Sequence, residues 1–392
     1  MLATLRQRNF AFLWAGGLIS VFGDWVLIAA LPFHVYTLTG SALAASSMLI
    51  AYTLPGLLFG SVAGVFVDRW NRKRIMVIAD LLRAVLLLLL LAFRSRDWLW
   101  VVYVVAFVES AVGQFFGPAK GALIPRLAGE SHLVAANSLN ALSDNLARLL
   151  GPSLGGTLMA LMGLPSVVLL DSASYLLSGI LIALIAAPPA PQAPPDPATE
   201  PARNWARVWL EWREGLEVVR REQVIAAIFV VLGMAAIADS FNSALLVPFV
   251  NDVLGGGPQD FGWLLTGQAV SGLVAGLLIG HAGKVISPGR LIALSAAAAA
   301  LLFGVAFNFP SLRRIYVIVT LLGFPSVGFY VSTQTLLQSS VADEYRGRVF
   351  GALGTTNALL GLSTLGLGGA LADRLGVRPV LNVVVALWLF TA

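Results

Sequence analysis

Of 392 residues, 58% are hydrophobic and 11% charged, and the mean hydropathy is +0.85; a soluble domain carries about 25% charged residues. The absence of cysteine excludes disulfides, thiolate metal sites and cysteine nucleophiles. The net charge of +5 is divided among loops instead of gathered on one face, which argues against a nucleic-acid partner.

Long apolar runs predict a polytopic all-α membrane protein of twelve spans. Residues 1–9 carry Arg6 and Arg8 and lead into a run too long for a signal-peptide core, so the N-terminus is expected to stay cytoplasmic. Span one covers about 10–38, with Asp24 near mid-depth; span two, 43–67; span three, 75–93, interrupted by Asp80 and Arg83. Span four, 98–119, has Glu109 halfway along; span five, 134–162, contains Asp144 and Arg148; span six, 165–187, has Asp171 near its outer end. Residues 188–201 then hold seven prolines in fourteen, a semi-rigid extended linker. Trp205, Val208, Trp209, Trp212, Leu216 and Val219 follow at three- and four-residue spacing, with Arg203, Arg207, Arg213, Arg220 and Arg221 mostly elsewhere around the helix. That pattern predicts an interfacial helix on the cytoplasmic leaflet.

The second half repeats the plan at about 224–250 (with Asp239 near mid-depth), 261–280, 291–309, 315–338, 349–372 and from 377. The last span stops at Ala392 without a polar tail, so a truncated or longer natural end is expected. The domains expected are an N-terminal six-helix bundle (1–187), the linker with its interfacial helix (188–221) and a C-terminal six-helix bundle (222–392). On this topology seventeen of the 25 lysines and arginines lie inside and six outside, which places both termini in the cytoplasm. A shift of 216 residues lays Gly56, Gly60, Gly64 and Pro32-Phe33 on Gly272, Gly276, Gly280 and Pro248-Phe249. A shift of 213 lays Gly155, Gly156 and Gly163 on Gly368, Gly369 and Gly376. Two homologous halves follow, related by an axis along the membrane normal.

Between spans two and three stands a dense island of charge, Gly64-Val65-Phe66-Val67-Asp68-Arg69-Trp70-Asn71-Arg72-Lys73-Arg74. It resembles the signature Gly-x-x-x-Asp-Arg/Lys-x-Gly-Arg-Lys/Arg of the major facilitator superfamily of transporters, with Asn71 in place of the second glycine. Asn tolerates the left-handed backbone expected of such a turn. The resemblance implies a conformational latch of Gly64, Asp68, Arg69, Arg72 and Lys73, with the Asp facing the N-terminus of span eleven; a carboxylate there is favourable by about 0.3–1 kcal/mol. In the second half Lys284 falls where Asp68 would repeat, so only the first half should hold the latch.

An ionisable side chain at mid-bilayer costs about 2.5–3.5 kcal/mol, so each needs a reason. The mid-depth groups are Asp24, Glu109, Asp144, Arg148 and Asp239. Asp144 and Arg148, four apart on one helix, can pair and so fix span five, or take part in function. The unpaired carboxyls Asp24, Glu109 and Asp239 are candidates for proton coupling, Asp24 with Glu109 before Asp239. Asp80 and Asp171, nearer span ends, read as solvated or capping. Gly151-Pro152-Ser153-Leu154-Gly155-Gly156 resembles the core of the span-five antiporter motif of proton-coupled drug exporters, here Gly151, Pro152, Gly155 and Gly156; its physical content is a bend and close helix packing. Phe22-Gly23-Asp24-Trp25, Phe116-Gly117-Pro118-Ala119 and Arg346-Gly347-Arg348-Val349 look like the branch of macrolide, mycobacterial-type multidrug and enterobactin exporters.

The resemblance implies a proton-coupled antiporter exporting amphipathic or hydrophobic small molecules such as drugs or macrolides by alternating access. A lipid or lysophospholipid flippase, a siderophore exporter and a non-transporting sensor are the alternatives. Polar and aromatic candidates for the substrate cavity are Trp25, Phe115, Asn242, Tyr330 and Gln334, which could equally pack between helices. No phosphate-binding Gly-rich loop or clustered metal ligands occur, so no enzyme, cofactor or metal is expected. The partners expected are the transported molecule, protons and membrane lipids, around a monomer in the inner (plasma) membrane.

Overall fold

The structure, a computed structural model, describes residues 2–92, 95–186, 205–282 and 286–392. It is built from helices, with no strand among the described residues. A single turn, α1 (Leu2–Leu5), precedes α2 (Arg8–Thr39), α3 (Ala42–Arg69), α4 (Arg72–Leu88), α5 (Leu99–Ala128), α6 (Leu133–Met162) and α7 (Leu164–Ala183). Then come α8 (Trp205–Arg221), α9 (Gln223–Pro248), α10 (Pro258–Ala282), α11 (Pro288–Asn308), α12 (Leu312–Ser340), α13 (Asp343–Leu375) and α14 (Val377–Thr391). Among the described residues ten helices are long and apolar enough to cross a membrane; about 20 residues suffice at 1.5 Å per residue. Two more complete the twelve-helix layout: α6, long but carrying Asn, Ser, Asp and Arg side chains, and α14, 15 residues long. The proline-rich stretch 188–201 lies outside the described residues.

The chain divides into two compact units, residues 1–39 with 48–203, and 40–47 with 204–392. In the first, α2 packs against α6 and α7, and α4 against α5 and α7. In the second, α9 packs against α13 and α14, and α11 against α12 and α14. The pairing is the same, helix for helix. Left-handed glycines recur at matching turns, Gly163 (φ +75°) before α7 and Gly376 (φ +87°) before α14; a side chain there would be strained. Gly155 of α6 lies so close to the Val26 carbonyl of α2 that a Cβ would overlap it, and Gly368 of α13 lies on the Phe241 ring of α9. Gly155 and Gly368 are thus places where paired helices meet closely, whereas Gly64, Gly272 and Gly276 have no neighbouring atom, among the described residues, within 4 Å of where a Cβ would stand.

The charged loop departs from expectation at Asn71. Its backbone is extended (φ −70°, ψ 107°), and its Oδ1 accepts from the Arg74 N–H at 3.1 Å. Asn therefore serves as the N-cap of α4, a role it fills as well as any residue, instead of supplying a left-handed turn. Lys73 Nζ donates to the Ile185 carbonyl at 2.7 Å; Arg69 is exposed, Arg72 and Gly64 half-buried. The Asp68 side chain and Lys284 lie outside the described residues.

Helix α8 also differs from a helix lying free on a leaflet. Trp212 Nε1 donates to Thr356 Oγ1 of α13 at 3.0 Å, Val219 is buried, and Gly215 brings the α8 backbone onto the Arg348 carbonyl and Ala352. One face is thus held by α13, while Trp209 and Leu210 stay exposed. The side chains of Trp205 and Val208 lie outside the described residues.

The turn after α2 is tied at both ends. Arg96 donates to the carbonyls of Leu38 and Thr39, each at 2.8 Å. Asp373 of α13 accepts from the N–H groups of Ala42 (2.7 Å) and Leu43 (3.2 Å) and from Ser41 Oγ (2.6 Å). A cation meets helix-terminal carbonyls and an anion meets helix-initial N–H groups, the favourable sense at each end.

A buried carboxyl cluster in the first unit

Asp24 is set on α2 between two glycine contacts. The preceding residue, Gly23, lets Asp171 and Ser174 of α7 approach so closely that a Cβ would overlap them. On the other flank, Gly151 and Gly155 of α6 press against Trp25 and Val26. The antiporter-like stretch, with Pro152 and Gly156 also buried, therefore forms the floor beside Asp24.

Tyr175 of α7, fully buried, is the hub. Its Oη donates to Glu109 Oε1 of α5 at 2.6 Å and stands within hydrogen-bond reach of Asp24 Oδ1. Arg83 Nη1 of α4 donates to the same oxygen at 3.1 Å. Arg83 further donates to Asp80 Oδ1 at 2.7 Å and lies 3.7 Å from Glu109 Oε1. Its guanidinium stacks over the Tyr175 ring at 4.1 Å and near the Phe116 ring at 5.1 Å. Ser178 donates to Asp80 Oδ2 at 2.6 Å, and Ser174 to Asp171 Oδ1 at 3.1 Å. Four carboxyl groups thus surround one guanidinium, and Asp80, Glu109 and Asp171 are each at most 3% exposed. Like charges so close in a low dielectric cannot all be ionised. A phenol also has a single proton to donate. Of the contacts that Tyr175 makes to Asp24 and Glu109, one can use that proton, and the other needs a proton on a carboxyl group.

The cluster contains residues the sequence pattern did not select. Asp80 and Asp171, expected to be solvated or capping, are buried because α4 and α7 present them inward, with Asp80 eight residues into its helix. Their signal was present at one point: Asp80 and Arg83 are three apart within an otherwise apolar run, the spacing of a helical ion pair. Tyr175, an isolated phenol in an apolar helix, had none.

Other candidates are placed differently. Asp144 and Arg148 are both exposed, and no ion pair joins them among the described residues; Arg148 lies 5.8 Å from the centre of the Trp25 ring, and Lys120 is within electrostatic reach of Asp144. Phe115 packs against the apolar core around Phe10, Leu13 and Phe116. In the second unit, Asp239 accepts a hydrogen bond from Tyr330 Oη, Asn242 is half-buried and Gln334 exposed. Among the described residues no three His, Cys, Asp or Glu side chains are arranged to hold a metal ion.

This helix order, the repeated pairing and the loop signature define a membrane transporter of two matched bundles. The model of the Major Facilitator Superfamily matches residues 13–362, and the chain belongs to that family. It is 28% identical over 380 residues to macrolide efflux protein A of Streptococcus pyogenes, covering 95% of this chain and 91% of that one. It is 28% identical over 383 residues to the multidrug efflux pump Tap of Mycolicibacterium fortuitum, covering 94% and 89%. Among solved structures, a bacterial homologue of the iron transporter ferroportin in its inward-facing state superposes with a TM-score of 0.75 over 98% of this chain and 97% of that one, at 16% identity, a likeness of fold.

Proposed function

We propose that this chain is a proton-coupled exporter of amphipathic small molecules, working by alternating access with both termini in the cytoplasm. The relatives named for macrolide and multidrug efflux support the direction and the substrate class. The observation that carries proton coupling is the Asp24–Tyr175–Glu109 bridge. Two carboxyl groups on one phenol form a site whose proton can pass from one to the other through the hydroxyl. Arg83, donating to the same phenol oxygen, offsets the negative charge left when the proton departs. The latch residues Gly64, Asp68, Arg69, Arg72 and Lys73 would then bias the outward- and inward-open states, as in the family signature. The protein acts as a monomer among membrane lipids.

The test is export of a fluorescent cationic dye and of a macrolide from proteoliposomes under an imposed pH gradient, for the wild type, Asp24→Asn and Glu109→Gln. Gradient-driven transport by the wild type, lost in both variants while they remain folded, is expected. Undiminished transport by both variants would remove the cluster from the coupling path. No transport of either compound by folded wild type would remove the multidrug reading, and lysophospholipid would be the next substrate tried.

A further inference from the structure

Arg148 is a cation of the first unit that the buried cluster does not use. It lies midway along α6 and is exposed. A guanidinium turned toward lipid tails at that depth is costly, so its open side faces water or a ligand. Among the described residues no carboxyl group is ion-paired with it. The nearby carboxyl groups answer to other cations: Asp24, Glu109 and Asp171 lie within electrostatic reach of Arg83, and Asp144, one turn before Arg148, within reach of Lys120 of α5. What Arg148 has instead is a ring. Its guanidinium carbon stands 5.8 Å from the centre of the Trp25 ring of α2, within the range of a cation–π contact. The packing of α6 on α2 sets this up: Gly151, three residues after Arg148 and so on a neighbouring part of the helix surface, brings the α6 backbone onto Trp25, where a Cβ would overlap the tryptophan's own.

A ring does not neutralise a guanidinium. The site therefore lacks a negative charge, and Trp25, itself only half-buried, offers apolar surface beside it. A guanidinium steadied by an aromatic ring presents a planar fork of N–H donors, which a carboxylate or a phosphate fits with two hydrogen bonds. The indole can meanwhile carry the apolar body of the same ligand. We propose that Arg148, positioned by Trp25, binds the oxyanion group, a carboxylate or a phosphate monoester, of transported amphipathic molecules. This rests on the export reading for its biological setting and adds amphipathic acids to the substrate class.

The experiment is equilibrium binding to purified full-length protein in detergent, without any gradient, using radiolabelled naphthylacetate, its neutral amide naphthylacetamide, and naphthyl phosphate. For Arg148→Gln both acids should bind at least about tenfold more weakly, the scale of losing one charged partner. Binding of the neutral amide should be unchanged. Arg148→Lys should restore part of the acid affinity, because an ammonium keeps the charge and loses the fork. Trp25→Leu should weaken acids and amide together, since it removes the ring surface that all three probes share. Whichever acid binds more tightly through Arg148 names the oxyanion that the site prefers, and either order upholds it. Equal acid affinity in wild type and Arg148→Gln would overturn the proposal, as would no binding of either acid by folded wild type. An equal loss for the amide would overturn it too, because that marks a purely structural role. Charge-selective binding through Arg148 in a protein that exports neither dye nor macrolide would uphold this site and sink the multidrug reading. Export by a protein whose acid binding ignores Arg148 would do the reverse, so the two fail separately.

Discussion

Asp24 and Asp239 stand 215 residues apart on α2 and α9, helices with matching partners in their own units. Around Asp24 the first unit gathers Tyr175, Glu109, Arg83, Asp80 and Asp171. The repeat offsets lay Ala296 and Ala299 on Asp80 and Arg83, and Trp388 on Tyr175. The second unit has thus exchanged an internal ion pair for an alanine-packed α11, and a bridging phenol for an indole whose buried Nε1 has no hydrogen-bond partner among the described residues. Equivalent backbones can carry different electrostatics: both aspartates are half-buried, but the Tyr175 that Asp24 contacts also takes a hydrogen bond from Arg83, whereas among the described residues Asp239 has Tyr330 and no ion-paired cation.

The sharpest way to break this comparison is to remove the cation that only the first unit has. Arg83→Met leaves Asp80 and Glu109 without their charged partner, and breaking a buried pair in this way costs about 3–5 kcal/mol. Chemical unfolding in mixed micelles should show that loss, while Asp239→Asn, which removes no ion pair among the described residues and leaves Tyr330 an oxygen to donate to, should unfold closer to the wild type. Equal stability of the two variants would mean that Arg83 is not the keystone of the cluster.

The helix-packing glycines give a second contrast. Gly155 meets a backbone carbonyl, which cannot move without shifting α2, whereas Gly368 meets the Phe241 ring, a side chain with some freedom to turn. Gly155→Ala should therefore destabilise by about 1–3 kcal/mol, the range of overpacking, and Gly368→Ala by less. The reverse order in the same unfolding assay would show that the α2–α6 contact is the softer of the two.

Removing single hydroxyls separates coupling from architecture. Tyr175→Phe keeps the ring under Arg83 and deletes the bridge between Asp24 and Glu109. Its stability cost should be about 1 kcal/mol, that of a typical buried hydrogen bond. Yet pH-gradient-driven dye export should fall severalfold or more, measured as initial rate in proteoliposomes. An unchanged initial rate would show that the proton does not use this phenol.

Much of this was legible in the sequence because it depends on spacing. Apolar runs, a charged loop and glycines recurring at 213 and 216 are one-dimensional patterns, and the helices and their repeat follow from them. Glu109 could be named with Asp24 from its depth in span four, but Tyr175 and Arg83 were not legible as neighbours of Asp24, since they come from two other helices and meet it only when the first unit is packed. Asp80 and Asp171 were misplaced for a related reason: distance from a span end says how deep a residue lies but not which face of its helix is turned inward. Asn71 was misread because Asn serves both left-handed turns and helix caps, and only the backbone angles decide between them. The docking of α8 on α13 hung on Gly215, a residue its amphipathic pattern gave no reason to notice.

The smallest expected effect concerns the turn after α2, where charged side chains meet helix ends. Asp373 accepts two N–H groups and a hydroxyl at the start of α3, where Ser41 Oγ also accepts from the Ala44 N–H at 3.1 Å, so Asp373→Ala removes part of the helix cap, worth about 0.5–2 kcal/mol. Arg96→Ala removes a cation from the last carbonyls of α2, worth about 0.3–1 kcal/mol where it is exposed and screened. Hydrogen exchange read over residues 38–47 should rise more in the first variant than in the second, because amide groups at a helix start are the donors that lose their partner. Exchange that rises equally in both, or elsewhere in the chain, would mean that Asp373 acts through the packing of α13 and not through the amides it accepts. A change in exchange at Asp24 or Tyr175 would carry the same message for the first unit, since neither residue shares a hydrogen bond with this turn.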